Sequence, residues 1–145
     1  VTSMKRLNRD AARLMRQVGV HACTDITGFA LLGHAHEMAE RSAARLRLFV
    51  SRLPFIDGAL SYAEDYLFPG GTCRNQACYG RAVAFAPDIR DEMRQLLFTP
   101  ETSGGLLAAI AADRLAQLQA LFEAARQPLW VVGEICAGQG IEVVV

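Results

Sequence analysis

What this chain lacks excludes more than any one residue in it asserts. Neither sign of charge prevails, since 15 Lys and Arg against 15 Asp and Glu leave a formal net charge of zero. Nothing electrostatic therefore recommends nucleic acid or an anionic membrane surface as the main partner. No apolar run approaches the ~20 residues a bilayer span requires. Lys5, Arg6, Arg9 and Asp10 interrupt the N-terminus where a signal peptide would carry its apolar core. Of the cysteines, Cys23, Cys73, Cys78 and Cys136, no two form C-x-x-C, and Cys73 and Cys78 are a lone C-x4-C without matched histidines. That spacing does not suit structural zinc, and it predicts reduced, mostly buried thiols in a cytoplasmic protein. Neither G-x-x-x-x-G-K-S/T nor G-x-G-x-x-G occurs, so no glycine loop is a recognised phosphate cradle by itself. Ser103 lies in T-S-G-G rather than G-x-S-x-G, which argues against a serine hydrolase.

What remains is an ordinary globular composition, 52% hydrophobic and 21% charged over 145 residues. A chain of that length is most simply one domain and buries roughly 68–70% of its unfolded surface. Leu7, Ala11, Leu14, Met15 and Val18 recur at helical spacing, and Gly19 supplies a stop. A second helical pattern runs from about Gly28 to Arg41, with Leu31, Ala35 and Met38 as its apolar stripe. Arg45–Val50 alternates as a half-buried strand. Ile56, Leu60, Ala63 and Leu67 predict a short helix, and Pro69-Gly70-Gly71-Thr72 predicts a break. A short helix is expected over Asp88–Leu97, then a loop at Thr99–Gly105 that feeds the apolar run Leu106–Ala111. Leu115, Leu118, Phe122 and Ala125 mark an amphipathic helix, and strands at Leu129–Ile135 and Ile141–Val145 close the chain. The glycine pairs Gly70-Gly71 and Gly104-Gly105 read as tight turns entering strands. The fold class is α+β, a small mixed β-sheet covered by several α-helices.

The chemistry concentrates in the run His21 to His34, HACTDITGFALLGH. It sets Asp25 between Thr24 and Thr27, with Gly28 following, just where a helical pattern begins. The start of a helix offers unpaired N–H groups and the positive end of a dipole, which suit phosphate. A carboxylate there can hold the hard cation that accompanies phosphate, and magnesium needs only one or two from the protein when phosphates complete its shell. Asp25 can equally be an N-cap or turn residue, and Thr27 can cap the helix and leave Asp25 free. His34 and His36 are two residues apart, so a helix points them to different faces and they are a poor metal pair. Cys23, with only His21 as a nearby basic group in sequence, is weakly placed as a thiolate nucleophile. By local chemistry alone this is half of a magnesium–phosphate site.

Taken with Pro69-Gly70-Gly71-Thr72-Cys73-Arg74-Asn75, LFTPETSGGLL over Leu97–Leu107, and Val132-Gly133-Glu134-Ile135 followed by Gly138, Gly140, Ile141 and Val143, that run resembles a known family. The order and content resemble the C-terminal domain of the selenophosphate synthetases (selenide, water dikinases), within the aminoimidazole ribonucleotide synthetase-related superfamily. The likeness extends from about Leu7 to the end.

The resemblance implies an ATP- and Mg2+-dependent conversion of selenide to selenophosphate, releasing AMP and phosphate, by a cytoplasmic homodimer. It implies Asp25 as a metal-binding carboxylate, with Thr24, Thr27 and Gly28 beside the bound nucleotide. It implies a partner too: the protein's own N-terminal domain, which carries the catalytic residues and is absent from residues 1–145, so that these residues alone are inactive. Two positions depart from the family form. Ala30 stands where glycine is common, tolerable if its φ is helical, and Thr99 and Glu101 stand where Asp-Pro-Gln is common. Another ATP-dependent enzyme of the superfamily, or a non-catalytic interaction module that keeps the fold, are the competing readings.

Overall fold

The computed structural model describes residues 3–145. Two sheets organise the molecule. The larger is mixed and four-stranded, in the order β3-β6-β2-β5, with β2 at Arg45–Phe49, β3 at Val83–Phe85, β5 at Gly133–Cys136 and β6 at Gly140–Val144. Strands β3, β6 and β2 run parallel, and β5 pairs antiparallel with the free edge of β2. The smaller sheet is an antiparallel ribbon of β1 (Ala22–Asp25) and β4 (Leu106–Ala109). The expected mixed sheet is present, and the ribbon is an addition to it. The two closing strands do not pair with each other: β2 lies between them, and the turn from β5 to β6 crosses its N-terminal end.

Strand alternation decides which face each side chain takes. In β2, Leu46 and Leu48 point to the core and Arg45, Arg47 and Phe49 point away, while Ile141 and Val143 of β6 do the same beside them. Helix α2 (Ala30–Arg41) lays Leu32, Ala35 and Ala39 against this inner face, with Leu97 and Phe98 completing the core. The expected stripe of Leu31 and Met38 lies at its margin instead, half-buried. Full burial of a leucine such as Leu32 or Leu48 contributes about 2 kcal/mol by transfer. A second core joins α1 (Arg9–Val18) and α6 (Leu115–Ala124) through Leu14, Met15, Val18, Leu118 and Phe122, and these helices pack on the ribbon. Gly19 ends α1 with φ 84°, the left-handed stop its position predicted. On the outer face Arg47 bridges Glu134 of β5 and Glu142 of β6 at 2.9 and 2.8 Å, an exposed cross-strand ladder.

Four expectations are corrected. Pro69–Thr72 is no break: Pro69 is extended and α4 (Gly70–Tyr79) starts at Gly70, because proline suits the position before a first helical turn. Gly71 is required there by the ring of Pro100, which would collide with any Cβ. Gly104-Gly105, by contrast, does lead into strand β4 as expected, and Gly105 has φ 86°. The short helix α3 (Ala59–Glu64) forms, yet Ile56, Leu60 and Leu67 of its expected stripe are exposed along with Tyr62 and Tyr66, and only Ala63 is buried. The thiols are not mostly buried either: Cys23, Cys73 and Cys78 are exposed, Cys136 is half-buried, and all four are free. Alternation places Cys23 on the outer side of the ribbon, and Cys73 and Cys78 lie on the outward side of α4. Between α4 and β4, α5 (Asp91–Leu97) begins three residues later than the pattern suggested. No helix among the described residues is long and apolar enough to cross a membrane.

Candidate functional site

Asp25 is the last residue of β1, opposite Leu106 of β4. Strand alternation puts it on the same outer face as Cys23, both exposed. It does not cap α2, whose first residue lies five positions on, and no hydrogen-bond or ion-pair partner holds its carboxylate among the described residues. The carboxylate is thus positioned by its strand and left free.

The segment after Asp25 is stitched to the loop at 101–105. Ile26 N–H donates to the Gly105 carbonyl at 2.9 Å, Gly104 N–H to that of Ile26 at 3.0 Å, and Glu101 N–H to that of Thr27 at 2.9 Å. Asn75 of α4, nearly buried, donates through Nδ2 to the carbonyls of Gly28 and Phe98, each at 3.0 Å. Thr72 and Thr99 pair through their hydroxyls at 3.2 Å beside it. Four stretches that looked separate in sequence therefore converge on one turn: 25–30, 70–75, 97–99 and 101–105. Gly104 is needed at the junction, because a Cβ there would collide with Glu101 Oε2 and come within 2.8 Å of Ile26.

The other expected site residues fall as follows. Thr24 is half-buried, and its hydroxyl donates weakly to the Asp25 carbonyl at 3.3 Å. Thr27 does not cap α2; its Oγ1 lies 3.1 Å from Nε2 of buried His34. Gly28 is exposed with nothing near the place a Cβ would take, and neither its N–H nor that of Phe29 has an acceptor among the described residues. The two N–H groups without acceptors follow the free carboxylate by three and four residues at the start of α2, and N–H groups at a helix start suit phosphate.

Ala30 does not have the helical φ that would make it a neutral replacement for glycine. It sits at φ 64°, fully buried, as the residue that turns the chain into α2. His34 lies 3.8 Å from Glu37 through Nδ1, and the H-x-H spacing gives no sign of its link to Thr27 seven residues earlier. His36 faces Tyr79 with ring centroids 5.9 Å apart, and His34 faces Phe29 at 5.4 Å. Burial, and then the charge of Asp25, push the Cys23 thiol above its ordinary value, which disqualifies it as a ready thiolate. Glu101 is exposed as a residue, but its carboxyl lies against Gly104 of the loop, and that desolvation raises its pKa. Among the described residues no three His, Cys, Asp or Glu side chains cluster as a metal site.

The model of the family described as AIR synthase related protein, C-terminal domain, matches residues 1–145. The chain belongs to that family. It is 43% identical over 136 residues to a selenide, water dikinase of Pelobacter propionicus, covering 93% of this chain and 39% of the relative. Against the enzyme of the same name from Paraburkholderia xenovorans it is 39% identical over 146 residues, covering 99% of this chain and 41% of the relative. The chain thus spans about two-fifths of the length of the curated relatives it matches. Among solved structures, a thiamine-monophosphate kinase from Stenotrophomonas maltophilia has TM-score 0.60 at 23% identity, over 89% of this chain and 32% of that one. Thiamine monophosphate kinase from Aquifex aeolicus gives 0.55 at 18% over 92% and 34%. These two share the α+β fold.

Proposed function

We propose that this family member is the C-terminal portion of a selenide, water dikinase, and that it contributes Asp25 as one magnesium-binding carboxylate to an ATP site completed by an N-terminal portion of the same protein. The single observation that supports the site is the free, exposed Asp25 carboxylate followed, three and four residues on, by the N–H groups of Gly28 and Phe29, which have no acceptor among the described residues. The identity of the enzyme rests on relatives so named at 39–43% identity along nearly the whole chain.

A single carboxylate fits magnesium, which takes most of its remaining ligands from water, phosphate oxygens and other carboxylates. Bound there, the ion supplies charge neutralisation to a polyphosphate. This chain's own residues hold the geometry. β1 fixes Asp25, Asn75 and the 101–105 loop fix the turn, and His34 orients the Thr27 hydroxyl. Thr24, Thr27 and Gly28 line the nucleotide in this reading, Gly28 because its bare backbone allows close approach.

The exposed apolar side chains of Ile56, Leu60, Tyr62, Tyr66 and Leu67 suit a chain that meets further polypeptide. In this reading the whole protein works as a cytoplasmic homodimer, and its four free cysteines suit a reducing compartment. The test is selenide-dependent AMP formation. The full-length protein is expected to form AMP from ATP only when selenide and magnesium are present, and the 145-residue chain to form none. Selenide-dependent turnover by the 145-residue chain, or none by the full-length protein, contradicts the reading.

A further inference from the structure

The turn from β5 to β6 carries Gly138 and Gln139 and enters β6 at Gly140. Both glycines have positive φ, 115° and 83°. Both also make room. A Cβ on Gly138 would stand 3.0–3.1 Å from Nη2, Cζ and Nε of Arg45, so the guanidinium rests against bare backbone. A Cβ on Gly140 would stand 2.9 Å from the Ala82 carbonyl oxygen. Its absence lets the single 3-10 turn Gly80–Ala82 close onto the start of β6 and brings Arg81 alongside.

The result is a half-open cleft of about 240 Å³ into which Arg45, Arg81, Gln139 and Glu142 face. Arg45 is anchored from one side, Nε to the Gln139 carbonyl at 3.4 Å. Neither Arg45 nor Arg81 has a carboxylate at ion-pair distance among the described residues, so their terminal N–H donors are uncommitted. The one carboxylate of the lining, Glu142, is already taken by Arg47 at 2.8 Å. Arg47 also holds Glu134, so cleft and ladder together keep one net positive charge.

We propose that this cleft binds a tetrahedral phosphate group between Arg45 and Arg81. A guanidinium presents its donors as a planar fork that pairs two acceptor oxygens, so a carboxylate is saturated by one fork. A phosphate has oxygens enough for two forks arriving from different elements, and its double charge matches two guanidiniums. Asp25 takes no part: it precedes α2 and Arg45 follows it, with about 18 Å of helix between. Free phosphate and the phosphate of a nucleotide share this chemistry.

Arginine labelling with phenylglyoxal, read by peptide mass spectrometry on the full-length protein, tests it. With a dissociation constant of about 1 mM, ~10 mM inorganic phosphate is expected to slow labelling of Arg45 and Arg81 about tenfold. Exposed Arg13 should label unchanged, and acetate at equal ionic strength should not protect. In Arg81→Gln the protection of Arg45 should be lost, and in Arg13→Gln it should be kept. A parallel series with AMP distinguishes the sources: protection at lower concentration than phosphate assigns the cleft to a nucleotide's phosphate, and weaker protection assigns it to free phosphate. Equal labelling with and without both anions, or equal protection by acetate, overturns the proposal.

Discussion

Ala30 is a buried non-glycine residue in the left-handed region. A non-glycine residue at φ 64° costs roughly 1–2 kcal/mol, and this one is fully buried at the start of α2. Glycine would relieve that cost and give up one buried methyl of about 0.8 kcal/mol. Ala30→Gly is therefore expected within about 1 kcal/mol of the parent, whereas Ala30→Val, branched and overpacked, should destabilise by about 2–4 kcal/mol. Urea midpoints of the two variants decide it; equal midpoints would mean the backbone there is not left-handed.

Glu101 yields a pH dependence of defined sign. Its folded-state pKa is raised by desolvation, so below the ordinary glutamate range both folded and unfolded chains hold the proton and nothing is lost. As pH climbs from that range through the raised value, the unfolded chain ionises first and stability falls. Glu101→Gln should have the higher melting temperature at pH 7, with the gap closing below about pH 4. A gap independent of pH would locate its origin elsewhere.

At the scale of elements, Asn75 is what joins α4 to the site. Asn75→Ala leaves the part-buried carbonyl of Gly28 and the buried one of Phe98 without their shared donor, a loss of about 1–3 kcal/mol. Chemical denaturation measures it, and a change under about 0.5 kcal/mol would show the carbonyls satisfied by other means. The same residue shows where sequence reading stops. Periodicity made α1, α2, β2 and α6 legible, because each buries one face and repeats at its own spacing. It could not show α4, which opens on two glycines and buries only Thr72 and Asn75, polar residues that carry no apolar stripe. Nor could it show β3, three residues long. Asp25 and its neighbours were legible as a motif, but the convergence of 70–75 and 97–105 on that motif rests on contacts between residues far apart in sequence. The exposed face of α3 has the periodicity of a buried one; the pattern records apolar residues, not what covers them.

On the scale of the whole molecule, two cores and two sheets support a surface that presents one carboxylate, a pair of free N–H groups and no further metal ligand cluster among the described residues. In the proposed reading such a surface is one wall of a site rather than a whole site. The chain covers about two-fifths of the dikinases of Pelobacter propionicus and Paraburkholderia xenovorans, and the proposed reading assigns the remaining walls to the rest of that length. The most direct measurement is selenide-dependent AMP formation by the full-length protein carrying Asp25→Asn, across a magnesium titration. Because Asp25 is exposed and unpartnered, its melting temperature should stay within about 2 °C of the parent's, while AMP formation falls about a hundredfold or more at saturating ATP. Unchanged activity and unchanged magnesium dependence in that variant would contradict the account.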